Sequence, residues 1–79
     1  PVGGYMRRLV LFGEEWKRQV REARNLLEDL GLQYRFFDTT SNINNRIILY
    51  GLVEDYNTPI LFDNGVRLDG ITEIRQHLA

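Results

Sequence analysis

The side chains that could do chemistry in this chain are few. The sequence has no cysteine, and His77 is its single histidine. The lack of cysteine excludes a thiolate nucleophile, a disulfide and a thiolate metal site, and one histidine excludes a metal site built from several imidazoles. His77 near a helix end is typical of a surface residue beside a favourable dipole. No catalytic residue and no cofactor are therefore expected.

Groups that could bind a partner are found at the starts of two predicted helices. Lys17, Arg21 and Arg24 lie along one flank of the first helix. Such a stripe can attract an acidic or nucleic-acid partner, but a formal net charge of −1 favours a solvated helix face. The start of the last helix, residues 70–72, offers backbone N–H groups that can hold a carboxylate. A plain capped helix start is the simpler interpretation there.

The elements that position these groups follow from hydrophobic patterning. The apolar run at residues 9–12 predicts a strand buried on both faces. Residues 14–30 predict the first helix, with acidic residues at its start and an apolar stripe that begins at Trp16. Gly31 follows the stripe as a natural end of the helix. The aromatic residues within 32–38 predict a second strand.

The second half of the chain predicts a helix, a hairpin and a helix. Apolar residues at helical spacing mark the second helix: Ile43, Ile47, Tyr50 and Val53. Gly51 within it should cost about 1 kcal/mol relative to alanine. Residues 60–68 predict a hairpin around Asn64 and Gly65, a strong hairpin signal, and residues 71–78 predict a closing helix with one apolar face. The helix faces are expected to be used up in packing the core.

The element order βαβ–αββα predicts an α/β fold with a four-stranded mixed sheet flanked by three helices. A chain of 79 residues fits one domain. Residues 6–79 are expected to form it, after a flexible leader or expression remnant at residues 1–5. No apolar run approaches the ~20 residues of a membrane span, and a cytoplasmic monomer is expected.

This arrangement resembles the thioredoxin fold, and most closely a glutaredoxin, over residues 7–79. Three segments carry the resemblance: the run from residue 12 to residue 32, the Thr58-Pro59 dipeptide before the third strand, and residues 68–73. The family's Cys-x-x-Cys motif falls on Lys-Arg-Gln-Val at residues 17–20. The redox activity of the family therefore cannot be inherited, since its nucleophile is a thiolate at the start of a helix.

The resemblance also implies where a ligand would lie. In glutaredoxins the residue before a cis-proline pairs its backbone with a bound peptide or glutathione, which points to Thr58 and Pro59. Backbone N–H groups at the start of the last helix hold the glutamyl end of glutathione, which points to residues 70–72. Glu14 stands where the family often has a lysine for the glycyl carboxylate. Weak or absent binding of glutathione is therefore expected.

We thus expect a non-catalytic, glutaredoxin-like binding module with a protein or peptide partner, and neither a membrane nor a nucleic acid as partner. Lys17 and Arg21 would favour peptides that carry carboxylates. The candidate binding residues are Trp16, Lys17, Arg21, Thr58, Pro59, Gly70, Ile71 and Thr72.

Two other interpretations stay open. The chain could be the substrate-positioning N-terminal domain of a larger redox or glutathione-transferase-like enzyme. Residues 73–79 faintly resemble the N-terminal domain of a glutathione transferase. Such transferase domains place an activating Tyr, Ser or Cys just after the first strand, and residues 12–20 contain none of these. The chain could also be a glutaredoxin variant whose cysteines have been replaced.

The lack of a thiol predicts chemical inertness in disulfide exchange. The purified chain should not reduce a glutathione mixed disulfide above the buffer background in a coupled reductase assay, because the reaction needs an attacking thiolate. A cysteine-containing glutaredoxin serves as the positive control. Turnover that rises with the concentration of this chain would contradict the prediction.

Overall fold

Four short strands form one mixed sheet with helices on both faces. The structure, a computed structural model, describes residues 7–52 and 57–79. Its elements are β1 (Leu9–Gly13), α1 (Arg18–Asp29), β2 (Arg35–Asp38), α2 (Ile43–Leu52), β3 (Ile60–Asp63), β4 (Val66–Asp69) and α3 (Gly70–Leu78). The strand order is β2-β1-β3-β4, with β1 parallel to β2 and the other pairs antiparallel. The predicted α/β fold is confirmed, whereas the expected leader at residues 1–5 lies outside the described residues.

The central strand β1 divides the core into two clusters because its successive side chains point to opposite faces. Towards α1 and α3 lies a cluster of buried residues: Leu9, Leu11, Ala23, Leu27, Leu61, Leu68 and Ile74. On the other face Phe12 packs with Leu49 of α2 and Ile60 of β3. A strand covered on both faces explains the continuous apolar run that predicted it.

Glycines form two of the turns as predicted. Gly31 has φ +69°, and the N–H of Leu32 donates to the carbonyl of Leu27 at 3.0 Å, the pattern of a Schellman motif. Asn64 and Gly65 have φ of 51° and 87°, as a type I′ hairpin turn requires. Local backbone chemistry thus sets the end of α1 and the register of the β3–β4 hairpin.

The start of α1 differs from the prediction. The helix begins at Arg18, and the residues before it form a turn in which the N–H of Lys17 donates to the carbonyl of Glu14 at 3.0 Å. Trp16 lies in this turn with 64% of its surface exposed, so it does not begin the core stripe. Val20 is the first buried residue of α1. Strand β2 is also shorter than predicted, because Gly31 and Leu32 complete the end of α1.

The orientation of α2 also differs from the prediction. Its single buried residue is Leu49, whereas Ile43, Ile47 and Tyr50 are more than half exposed. The side chain of Asn45 donates to the carbonyl of Asp38, and that of Arg46 donates to the carbonyl of Thr39. These bonds hold the side of the helix that bears Leu49 against the end of β2. The expected use of every helix face in the core is therefore wrong, and Val53 lies outside the described residues.

Within residues 7–52 and 57–79, no helix is long and apolar enough to cross a membrane.

Gly13 allows β1 and α1 to approach closely, which predicts a clear cost for a larger residue. A Cβ atom at this position would lie 2.5 Å from Cγ2 of Val20. Gly13→Ala should lower the free energy of unfolding by about 1–3 kcal/mol through overpacking. The matched control Gly51→Ala, where an added Cβ meets nothing within 4 Å, should raise it by up to about 1 kcal/mol. Urea unfolding of dilute samples measures both; equal effects at the two sites would contradict this account of Gly13.

A buried carboxylate at the end of β3 joins the two ends of the described fold. Asp63 is only 8% exposed. It accepts hydrogen bonds from Arg7, the closest at 2.7 Å from Nη2, and its Oδ2 lies 2.7 Å from Nε2 of His77. The hydrogen bonds from Arg7 lower the pKa of Asp63, against the opposing effect of burial. His77 therefore has a structural contact beyond the surface position expected for it.

The lowered pKa of Asp63 predicts a loss of stability in acid. The carboxyl of unfolded Asp63 has a pKa of about 3.9, so the ion pair stabilises the fold above that pH. This stabilisation is lost as the pH falls through the lower pKa of the folded state. Asp63→Asn should lower the free energy of unfolding at pH 7 by about 1–3 kcal/mol and flatten its fall towards pH 3. Asp29→Asn, at the exposed end of α1, is the matched control. An unchanged pH profile in Asp63→Asn would show that Asp63 does not carry the acid dependence.

Candidate binding groove

A groove of about 480 Å³ lies where the start of α1, the loop before β3 and the start of α3 meet. Its walls include Lys17, Gln19, Asn57, Thr58, Pro59, Asp69, Gly70, Ile71, Thr72 and Glu73. Six of the candidate residues are thus brought together: Lys17, Thr58, Pro59, Gly70, Ile71 and Thr72. Residues up to 56 positions apart in sequence, from Lys17 to Glu73, thus form one surface.

The floor of the groove is the loop at Thr58 and Pro59. The peptide bond between them is cis, and both residues are buried. The N–H of Gly70 donates to the carbonyl of Pro59 at 2.8 Å, and Gly70 has φ +84°. A residue with a side chain would be strained at that backbone angle. Gly70 therefore holds the start of α3 against the loop.

Lys17 bridges the groove. The resemblance to glutaredoxins places the first cysteine of their Cys-x-x-Cys motif on this residue. Its Nζ donates to the carbonyl of Thr58 at 2.8 Å and to the hydroxyl oxygen of Thr58 at 3.2 Å. The hydroxyl of Thr58 in turn donates to the carboxylate of Glu14. The carbonyl of Thr58, part of the backbone that the resemblance to glutaredoxins assigns to a bound peptide, thus already accepts this ammonium. One lone pair of that oxygen is left for a ligand.

The opposite wall of the groove is acidic. Glu73 accepts the N–H of Asp69 at 2.9 Å, so a carboxylate lies at the start of α3. Asp69 pairs with Arg67 at 2.7 Å. A carboxylate of a ligand bound at residues 70–72 would lie near these two acids, and the repulsion between like charges opposes such binding. Lys17 on the other wall carries one positive charge against these two acids.

Trp16 and Arg21 line a different cleft from the other six candidate residues. This cleft measures about 440 Å³ and is bounded by Glu15, Trp16, Arg21, Arg24, Asp38, Thr40 and Ser41. Arg21 donates from Nη1 to the carbonyl of Trp16 at 3.0 Å, which turns its charge towards this cleft. Lys17 and Arg21, which were expected to attract one acidic peptide, therefore line different clefts.

Asp38 organises the second cleft. Burial raises its pKa, but hydrogen bonds from Ser41, Thr40 and Glu15 outweigh that effect and lower it. Its Oδ1 accepts the N–H of Thr40 at 2.9 Å and that of Glu15 at 3.3 Å. The carboxylate thus joins the loop after β2 to the turn before α1.

Four residues that line the groove were not predicted from the sequence: Gln19, Asn57, Asp69 and Glu73. A signal existed for Glu73, since an acid in the first turn of a helix often accepts backbone N–H groups at its start. For Gln19 and Asn57 no local pattern points to a site. Their roles follow from the way the loop and the two helix starts meet.

The mixed sheet, the two helices on one face and one on the other, and the cis-proline loop facing the start of α1 define a thioredoxin fold of the glutaredoxin type. The chain keeps the frame of that fold. It has no cysteine, so the Cys-x-x-Cys motif of glutaredoxins is absent from it.

Comparison with solved structures agrees with this class. Buckwheat glutaredoxin in complex with glutathione superposes with a TM-score of 0.76 at 18% identity over 89% of this chain. A mutated buckwheat glutaredoxin gives 0.77 at 18% identity, also over 89% of this chain. This chain spans 66% of the length of each buckwheat protein.

Glutaredoxin 1 from Francisella tularensis, complexed with cacodylate, gives a TM-score of 0.69 at 12% identity over 92% of this chain and 93% of its own. No protein-family model and no curated protein matches the sequence. The TM-scores establish the fold. At identities of 12–18% the similarity does not extend to function.

Proposed function

We propose that this chain is a glutaredoxin-like binding module that holds an extended peptide in the groove without thiol–disulfide exchange. The observation that carries the proposal is the bond from the ammonium of Lys17 to the carbonyl of Thr58 at 2.8 Å. It keeps the start of α1 and the cis-proline loop in register in a chain that has no cysteine. The groove at the cis-proline loop thus contains the ammonium of Lys17, which can donate hydrogen bonds to a peptide but cannot exchange disulfides.

The proposed binding uses backbone pairing. An extended peptide can pair with the backbone edge before Pro59, as peptides do when they add a strand to a sheet. The carbonyl of Thr58 has a second lone pair for a peptide N–H. The ammonium of Lys17 has three N–H donors, of which Thr58 uses two. The third can donate to a peptide carbonyl, so Lys17 would contribute a hydrogen bond where the family forms a covalent bond.

The charge of the groove supports neutral or basic peptides as ligands. Asp69 and Glu73 line the groove with Lys17, Glu14 accepts the hydroxyl of Thr58 beside it, and of these acids Asp69 is paired with Arg67. Like charges in proximity disfavour a ligand carboxylate, so glutathione, with two carboxylates, should bind weakly or not at all. This changes the expected preference for acidic peptides, which assumed that Lys17 and Arg21 act together.

Selection from a library of random linear twelve-residue peptides tests the proposal. The selected peptides should carry few acids and bind with micromolar to millimolar dissociation constants. They should shift the amide resonances of residues 57, 58, 60 and 70–73, while millimolar glutathione shifts them little. Selected peptides that shift only amides of α2, on the other side of the sheet, would contradict the proposed site.

Lys17→Met tests the proposed hydrogen bond directly. Loss of a charged donor should weaken the selected peptides about 5–10-fold, which corresponds to roughly 1–1.4 kcal/mol. Arg18→Met is the matched control, because this neighbouring cation is exposed and is not part of the groove. It should change the affinity less than twofold. Equal affinities in the two variants, both shown to be folded by circular dichroism, would remove Lys17 from the binding site.

A further inference from the structure

Trp16 lines the second cleft with an exposed indole on a fixed backbone. It is the single tryptophan of the chain, and 64% of its surface is exposed. The residue before it donates its backbone N–H to Oδ1 of Asp38 at 3.3 Å, and the carbonyl of Trp16 accepts Nη1 of Arg21 at 3.0 Å. A ligand that packs on an indole held in this way meets a backbone that is already ordered, which lowers the entropic cost of binding.

Arg21 and Arg24 bring two guanidinium groups to the same cleft. Nε of Arg24 donates to the hydroxyl of Tyr34 at 3.3 Å, and its guanidinium carbon lies 4.3 Å from the centre of the Phe36 ring. Arg21 is held by its bond to the carbonyl of Trp16. Neither guanidinium forms an ion pair with a carboxylate of residues 7–52 and 57–79. Most of their N–H donors therefore remain for a ligand.

The helical partner that Arg24 would ordinarily have is engaged elsewhere. Glu28 follows Arg24 by four residues, a spacing at which opposite charges pair along a helix. Here the hydroxyl of Tyr34 lies between them, since it accepts Nε of Arg24 and donates to Oε2 of Glu28 at 2.7 Å. Glu28 lines a neighbouring cleft and is not part of the second cleft. The tyrosine thus keeps this carboxylate away from the guanidinium.

The rest of the second cleft carries hydrogen-bond acceptors. They come from Glu15 and from three residues at the end of β2 and in the loop after it: Asp38, Thr40 and Ser41. The carboxylate of Asp38 is already satisfied by two backbone N–H groups and the hydroxyl of Ser41. Within the part of the chain that the structure describes, the side chains of Glu15 and Thr40 form no hydrogen bond. The two acids confine the negative charge of a ligand to the arginines, while the free acceptors favour N–H and O–H groups at its other end.

We propose that the second cleft binds a nucleoside monophosphate, with the base stacked on Trp16 and the phosphate held by Arg21 and Arg24. Arginine pairs well with phosphate, and a base stacks well on an aromatic side chain. The ribose hydroxyls and the N–H groups of the base are donors that Glu15 and Thr40 can accept. A volume of about 440 Å³ lies in the range of small-ligand sites. A phosphorylated tyrosine also joins a ring to a phosphate, but its ring has no donor for these two acceptors.

This site is independent of the proposed peptide groove, because the two share no residue. The basic stripe of Lys17, Arg21 and Arg24 was interpreted from the sequence as a solvated helix face. What the structure adds is the exposed indole of Trp16, which the apolar spacing had assigned to the core. Lys17 turns to the groove, and the two arginines remain with the indole.

The fluorescence of Trp16 tests the site directly, because the chain has no other tryptophan. Adenosine 5′-monophosphate, added to the full chain and excited beyond its own absorption, should quench the indole with a saturable, micromolar to millimolar dissociation constant. Adenosine, which lacks the phosphate, should bind about tenfold more weakly. Ribose 5-phosphate, which lacks the ring, should not quench. Phenyl phosphate that binds as tightly as the nucleotide would show a site for phosphorylated tyrosine and overturn the proposal.

Variants then assign the contacts. Arg21→Met should weaken adenosine 5′-monophosphate about tenfold by removing a charged donor. Arg18→Met, an exposed position of the same helix that lines neither neighbouring cleft, is the matched control and should change the affinity less than twofold. Trp16→Ala, followed by the amide resonances of residues 21, 24 and 40, should also weaken binding about tenfold. Quenching that does not saturate, equal affinities in folded Arg21→Met and Arg18→Met, or a single-stranded oligoadenylate that binds more than tenfold tighter than the mononucleotide would each overturn the proposal.

Discussion

The burial of β1 on both faces is the constraint on which the rest of this small structure depends. Leu9 and Leu11 pack towards α1 and α3, while Phe12 packs towards α2. A strand in this position requires a helix on each side, and β2 and β3 pair with its two edges. Gly13 then lets the chain turn closely over Val20 into α1. The start of α1 is thereby brought to the cis-proline loop, and the groove is a consequence of that packing.

At the groove the fold is kept while the chemistry differs. A thiolate at a helix start reacts because its charge is stabilised there, whereas an ammonium at the same place is a donor of hydrogen bonds. Lys17 uses that capacity on Thr58, and Glu14 completes the chain of contacts through the threonine hydroxyl. These three residues supply an internal link between α1 and the loop.

Helix α2 shows how a small core can leave one face of a helix uncovered. Only Leu49 reaches the core, and polar contacts from Asn45 and Arg46 to the end of β2 set the rotation of the helix. The apolar residues that would ordinarily be taken for the buried stripe then face outwards. Their exposure to water is a cost that the packing of the described core does not remove.

Local patterns were enough to predict the element order, the turn at Gly31 and the hairpin at Asn64 and Gly65, while the resemblance to glutaredoxins pointed to Thr58 and Pro59 in the groove. Strands, turns and caps depend on a few neighbouring residues, and the resemblance to glutaredoxins added the arrangement of these parts. The lack of a thiol was also a fact of the sequence alone. What the tertiary structure decided depends on contacts between distant residues. It placed the side chains of Arg21 and Lys17 in different clefts and paired the carbonyl of Thr58 with the ammonium of Lys17. It also left most apolar side chains of α2 outside the core. Helical spacing shows which residues share a face, but the partner of that face is set by the packing of the whole chain.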